Sequence, residues 1–183
     1  MKQFPAILVI LAFGTIACNQ SRGGKNGVTF KSAVQYNDYI VNRQANHMQN
    51  VLDLVKVAEK DLDSADKMLD NFSAETVTYI EEIKEMPAYK GDSVLRDNAV
   101  SIFNFYKKVF QIEYRRIIQI RKKGNEMTHE DLEEMKDIVG RLKREEKDYD
   151  RSFQNAQKNF ADKNNIRLKE SEMQKEFKKE INQ

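Results

Sequence analysis

Few residues in this sequence have both the type and the spacing to do chemistry. A di-iron site in a helical bundle needs four carboxylates and two histidines, arranged as inward-facing Glu-x-x-His pairs. The chain has two histidines. Glu126-Met127-Thr128-His129 has the right spacing but falls where a loop meets a helix start. Gln44-Ala45-Asn46-His47 carries no carboxylate. No metal site is expected, and both histidines read as surface residues. His47 adjoins the seam position Met48, so it is expected to point partly to solvent, which weakens a His–Met haem ligation through it. Covalent haem attachment would need Cys-x-x-Cys-His, which is missing, and no cofactor is expected. Nucleophilic catalysis lacks its parts, since there is one thiol and no Gly-x-Ser-x-Gly elbow. Glu133, Glu134, Glu145, Glu146 and Asp148 read as a solvated helix face rather than an acid–base pair. The chain is therefore expected to be a non-enzyme.

Two groupings are suited to recognition instead. Phe103, Tyr106, Phe110 and Tyr114, with Phe105 beside them, recur at helical spacing. They are expected to pack as core, and the alternative is an apolar cavity between helices for a small apolar ligand or haem. Arg115, Arg116, Arg121, Lys122 and Lys123 cluster at one helix end, where cations offset the negative end of the helix dipole. Their alternative role is contact with an acidic partner, either another envelope protein or an anionic envelope polymer. With 31 basic against 29 acidic residues, the chain lacks the excess that nucleic-acid binding requires.

The single cysteine, Cys18, has a distinctive setting. Lys2 precedes an uncharged apolar run, Phe4 to Ile16, which is too short to span a bilayer at about 20 residues. A basic start, a short apolar core and a small residue read as a secretory signal. Thr15-Ile16-Ala17-Cys18 resembles a lipobox, although leucine is usual where Thr15 stands and Pro5 sits early in the run. The resemblance implies cleavage after residue 17 and diacylation of Cys18, giving a membrane partner through the lipid. It also accounts for an odd cysteine in an exported chain, and two acyl chains anchor durably where one does not. Residues 18–28 then form a lipidated, glycine-containing tether, whose nine polar residues after Cys18 span on the order of 16 Å. Asn19 is not the aspartate that resembles an inner-membrane retention signal. The expected location is the cell envelope, on an outer membrane facing the periplasm.

The remaining pattern is helical, and the expected fold is all-α, an antiparallel up-down four-helix bundle over 29–163 with a charged C-terminal tail over 164–183. Val34, Val41, Met48, Val55 and Leu62 repeat every seven residues and place helix 1 at about 30–60. Ala65 to Ile83 gives helix 2, with a break at Asn71-Phe72-Ser73 suggested by side chains that compete for backbone hydrogen bonds. Pro87 ends it. A turn follows at Pro87–Gly91, with Asp92 as N-cap of helix 3 and Gly124 as its stop. Thr128 and Asp131 approximate a capping box for helix 4, whose seam runs from Leu132 to Phe160. Asn164-Asn165 breaks the chain, and Met173, Phe177 and Ile181 leave the tail at most a marginal helix.

Tyr36-Asn37-Asp38-Tyr39-Ile40, Lys90-Gly91-Asp92 with Leu95-Arg96, Phe105-Tyr106-Lys107, and Ala156-Gln157 with Phe160-Ala161 carry a resemblance to uncharacterised helical surface or periplasmic lipoproteins of Bacteroidota-type and spirochaete-type bacteria. The resemblance spans most of the chain after Cys18 and implies an anchored helical domain without an assigned activity. Surface-exported members place acidic residues soon after the cysteine. Asn19-Gln20-Ser21-Arg22 has none, which points inward to the periplasm.

Overall fold

The structure is a computed structural model that describes residues 28–168. Cys18, the apolar run before it, most of the tether and the tail stripe Met173–Ile181 lie outside the described residues. Within them the chain is an all-α bundle, and the Tyr89–Asp92 bridge is the one β-type pairing. No helix among these residues is long and apolar enough to cross a membrane.

Helix α1 spans Ala33–Ala58, and its N-cap Ser32 accepts a hydrogen bond from the Gln35 amide at 3.2 Å. Helix α2 spans Leu62–Lys84, capped by Asp61, whose carboxylate accepts from the Asp63 and Ser64 amides. Leu62 thus opens α2 instead of closing α1. The expected break at Asn71-Phe72-Ser73 does not occur. Ser73 faces the core, and the Thr76 hydroxyl donates back to the Phe72 carbonyl at 2.7 Å, so this local polar bond is made inside the helix.

The turn after Pro87 closes through paired bonds between Tyr89 and Asp92, with Lys90 at φ 52° and Gly91 at φ 82°. Two successive left-handed residues are what a tight two-residue turn of this kind requires. Asp92 acts one position earlier than expected. Its carboxylate accepts from the Val94 amide at 2.9 Å, while Ser93 occupies the cap position of α3, Val94–Lys108. The helix then continues through a π-helical stretch, Val109–Tyr114, into α4, Arg115–Lys122. Gly124, at φ 56°, ends this third rod. The Thr128–Asp131 capping box forms in both directions, at 3.0 and 3.2 Å, and opens α5, His129–Asn164. Asn165 closes α5 in the left-handed conformation.

Sequential helices pack side by side: α1 on α2, α2 on the third rod, and the rod on α5, while α1 and α5 approach each other sparingly. Leu54, Leu69, Ile83, Ile102, Phe103, Phe110, Leu142 and Phe153 fill the centre. Tyr36 joins the start of α1 to the turn and to the end of α5: its hydroxyl donates to the Pro87 carbonyl at 3.1 Å and its ring stacks on Phe160 at 5.3 Å. Arg43 ties α1 to α2 by gripping Glu82 through two guanidinium nitrogens while lying 3.5 Å over the Tyr39 ring.

Candidate functional site

The sparse α1–α5 approach coincides with a line of buried polar side chains. On α1, Asn37, Gln44 and His47 fall on the same stripe as Ile40, Val51, Leu54 and Ala58, at steps of three and four. On α5, Glu146, Asp150 and Gln157 share a stripe with Leu142, Phe153 and Phe160. Helical periodicity therefore carries polar groups into the interior together with the apolar ones. Near one end they satisfy each other. The Gln157 amide donates to Asn37 at 2.8 Å across 120 residues of chain, and Asn37 donates to Asp38 at 3.2 Å.

The centre of the line holds further buried polar groups, His47, Tyr106 and Glu146. The His47 imidazole is 4% exposed and lies flat on the Tyr106 ring, 3.8 Å between centroids and 16° between planes. Phe110 tilts against it at 4.8 Å. Burial pushes this imidazole down to about 3, so it is neutral at every ordinary pH. Among the described residues, its Nδ1 and Glu146 Oε2 are buried without a hydrogen-bond partner. The Tyr106 hydroxyl is the meeting point. Burial raises it well above 10, the Asp150 and Glu146 carboxylates raise it further, and a hydrogen bond from the Gln44 side-chain amide lowers it. Burial, and secondarily the Asp150 charge, push the Glu146 carboxyl up to about 9, so it holds a proton at neutral pH. Tyr114 closes the layer, its phenol raised by burial and then by Glu146.

The structure corrects two expectations here. His47 is enclosed by aromatic rings, not directed to solvent, and only His129 is a surface histidine. Glu146 leaves the solvated carboxylate face, whereas Glu133, Glu134 and Glu145 stay on it and pair with Lys136, Arg116 and Lys108. Asp148 is exposed as expected. The signal lay in the register. Gln44 and His47 complete the stripe 40-44-47-51-54-58, which a frame built on Val34 and Met48 passes over, and Val34 is in fact exposed.

Phe103, Tyr106, Phe110 and Tyr114 are brought together and buried. They pack on one another and on His47, with Phe103–Tyr106 at 5.6 Å and Phe110–Tyr114 at 6.1 Å, so the imidazole occupies the space offered to an apolar ligand. Phe105 faces α5, stacked on Tyr149 at 4.9 Å. The basic group does not form one free surface. Arg115 binds Asp66 and Asp70, Lys122 binds Asp63 and Asp66, Arg116 binds Glu134, and Lys123 binds Asp131. Arg121 is half-buried. These cations brace the third rod against α2 and α5.

An open groove of about 610 Å³ runs between the π stretch and the start of α5, lined by Ile112, Glu113, His129, Glu133, Asp137 and Arg141 among others. Its buried carboxylate, Glu113, is neutralised by Arg141 at 2.6 Å. Among the described residues, no three His, Cys, Asp or Glu side chains come together as a metal site. No protein-family model matches the chain, no curated protein matches it, and no solved structure matches it.

Proposed function

We propose that this chain is a lipid-anchored protein of a bacterial envelope, held by acylated Cys18, whose bundle works by binding and not by catalysis. The observation that carries the anchor is the run Lys2, Phe4–Ile16 and Thr15-Ile16-Ala17-Cys18, which puts the chain's single thiol at the cleavage position of a lipoprotein leader. The non-catalytic reading is supported by where the titratable groups lie. His47, Tyr106 and Glu146 are each at most 4% exposed, which closes these three buried groups to a macromolecular substrate. An outer-membrane position facing the periplasm agrees with Asn19-Gln20-Ser21-Arg22 after the cysteine.

The test is the intact mass of the protein from its native membrane fraction, beside a Cys18→Ala variant. A chain beginning at Cys18 with acyl additions, lost in the variant along with membrane fractionation, is expected. An unmodified mass with soluble fractionation would overturn the anchor.

A further inference from the structure

The seam between α1 and α5 is better shielded from water than those two helices make it. Arg43, Asn46 and Asn50 reach α2 through Glu82, Tyr79 and Glu75. At 3.6 residues per turn, Val41, Ala45, Met48 and Leu52 therefore lie on the side of α1 opposite α2. Val41 is 5%, Met48 2% and Leu52 9% exposed. Across the seam, α5 contributes Asp150, Gln157 and Ala161, each at most 4% exposed. Yet among the described residues α1 and α5 approach each other sparingly, and Val41 and Ala161 stand outside the continuous core of the helices. Apolar side chains kept from water on that side of α1 need a cover beyond α2, the third rod and α5.

The chain after α5 is placed to supply it. Asn165 is left-handed, the Ile166 amide donates back to the Ala161 carbonyl at 3.0 Å, and Ile166 packs against the core. This turn sends the chain back over the bundle beside the start of α1, where Phe160 stacks on Tyr36. Residues 169–183 follow, and their Met173, Phe177 and Ile181 share one face at helical spacing. As a helix this segment is about 22 Å long, and the stretch of α1 from Val41 to Leu52 is about 16 Å, so one spans the other. Residues 19–27, which lead into α1, are polar or glycine and offer no apolar stripe.

We infer that residues 169–183 dock as an amphipathic helix in the α1–α5 seam, parallel to α1, with Met173, Phe177 and Ile181 laid on Val41, Ala45, Met48 and Leu52. A helix this short is marginal in water by itself, so the seam holds it in place. It closes the side of the bundle where two rods scarcely meet, and it screens the polar line behind them. Any partner that uses this seam has to displace it first. This inference is independent of the lipid anchor.

The experiment is methyl NMR of the purified full chain carrying Cys18→Ser and Lys179→Cys, the new thiol bearing a nitroxide. Loss of signal is expected at the Val41, Met48 and Leu52 methyls and not at Ile112, which lines the groove beside the start of α5. Mixing nitroxide-bearing, unenriched chain with isotope-enriched chain lacking the nitroxide should give no loss, which places the contact within one molecule. Phe177→Asp should restore the signals while circular dichroism still shows a folded bundle, and Phe177→Leu should keep the loss. Undiminished Val41, Met48 and Leu52 signals would overturn the inference, whether residues 1–27 cover the seam or nothing does. Loss that persists in the mixture would overturn it too, assigning the seam to a second copy, as would loss retained in Phe177→Asp.

Discussion

Replacing Glu146 by Gln isolates the energetic consequence of placing a carboxyl inside this core. The carboxyl is held at about 9 against an ordinary 4.5. A group raised in the folded state contributes most below its unfolded value, and that contribution is lost as pH rises toward the folded one. In the unfolded chain Glu146 gives up its proton above 4.5, while the folded chain keeps it to about 9, so rising pH favours unfolding. Each pH unit in that window costs about 1.4 kcal/mol. His47 runs the opposite way: lowered from 6.5 to about 3, it withdraws stability only as pH falls below 6.5. From pH 4.5 to 6.5 the two slopes oppose each other and stability is level. Above 6.5 Glu146 acts alone, because carboxylates held low by surface cations, such as Asp131 beside Lys123 and Glu134 beside Arg116, are charged throughout in both states. Between pH 6.5 and 8.5 the wild type should lose about 3 kcal/mol. Urea unfolding followed by circular dichroism measures this directly. Glu146→Gln has no proton to release, so its stability should be flat over the same range. An identical alkaline slope in wild type and variant would refute the burial argument.

Three further outcomes follow from other parts of the fold. The His47 ring signals in an NMR titration should not move between pH 5 and 8; a His47 midpoint near 6.5 would mean that the ring is solvated. Gln157→Leu strands Asn37 in the α1–α5 seam and should cost about 1–3 kcal/mol; adding Asn37→Leu should recover much of this, and simple additivity in chemical denaturation would deny the pairing. Thr128→Ala removes one half of the capping box and should cost about 1 kcal/mol in the same assay; a neutral change would show the box to be idle.

The helices were legible because their punctuation is local. Pro87, Gly124, the Thr128–Asp131 pair and Asn165 act through backbone geometry within a few residues, and each stops or starts a helix as its chemistry requires. The site was not legible, because burial is a collective property. Glu146 sits beside Glu145 in sequence, yet one faces the core and the other Lys108. Only the choice of stripe separates them, and polar residues on a stripe are invisible to a rule that counts apolar ones. The basic group failed in a similar way. Nothing near Arg115 or Lys122 in sequence announces Asp63, Asp66 and Asp70, which reach them from another helix.

The π stretch carries a consequence for how this protein tolerates change in length. Along the third rod the inward residues Leu95, Ala99, Ile102, Tyr106, Phe110, Tyr114 and Ile117 are spaced 4, 3, 4, 4, 4, 3. Regular alternation of three and four would need one residue fewer, and a π turn absorbs one surplus residue without rotating the helix on either side. Ile112, at 58% exposure an apolar side chain facing water, is that surplus. Val109–Tyr114 thus behaves as a splice: a chain shortened by one residue there can close as plain α-helix with α3 and α4 still presenting the same faces, whereas a deletion a turn away turns every inward side chain beyond it out of the core.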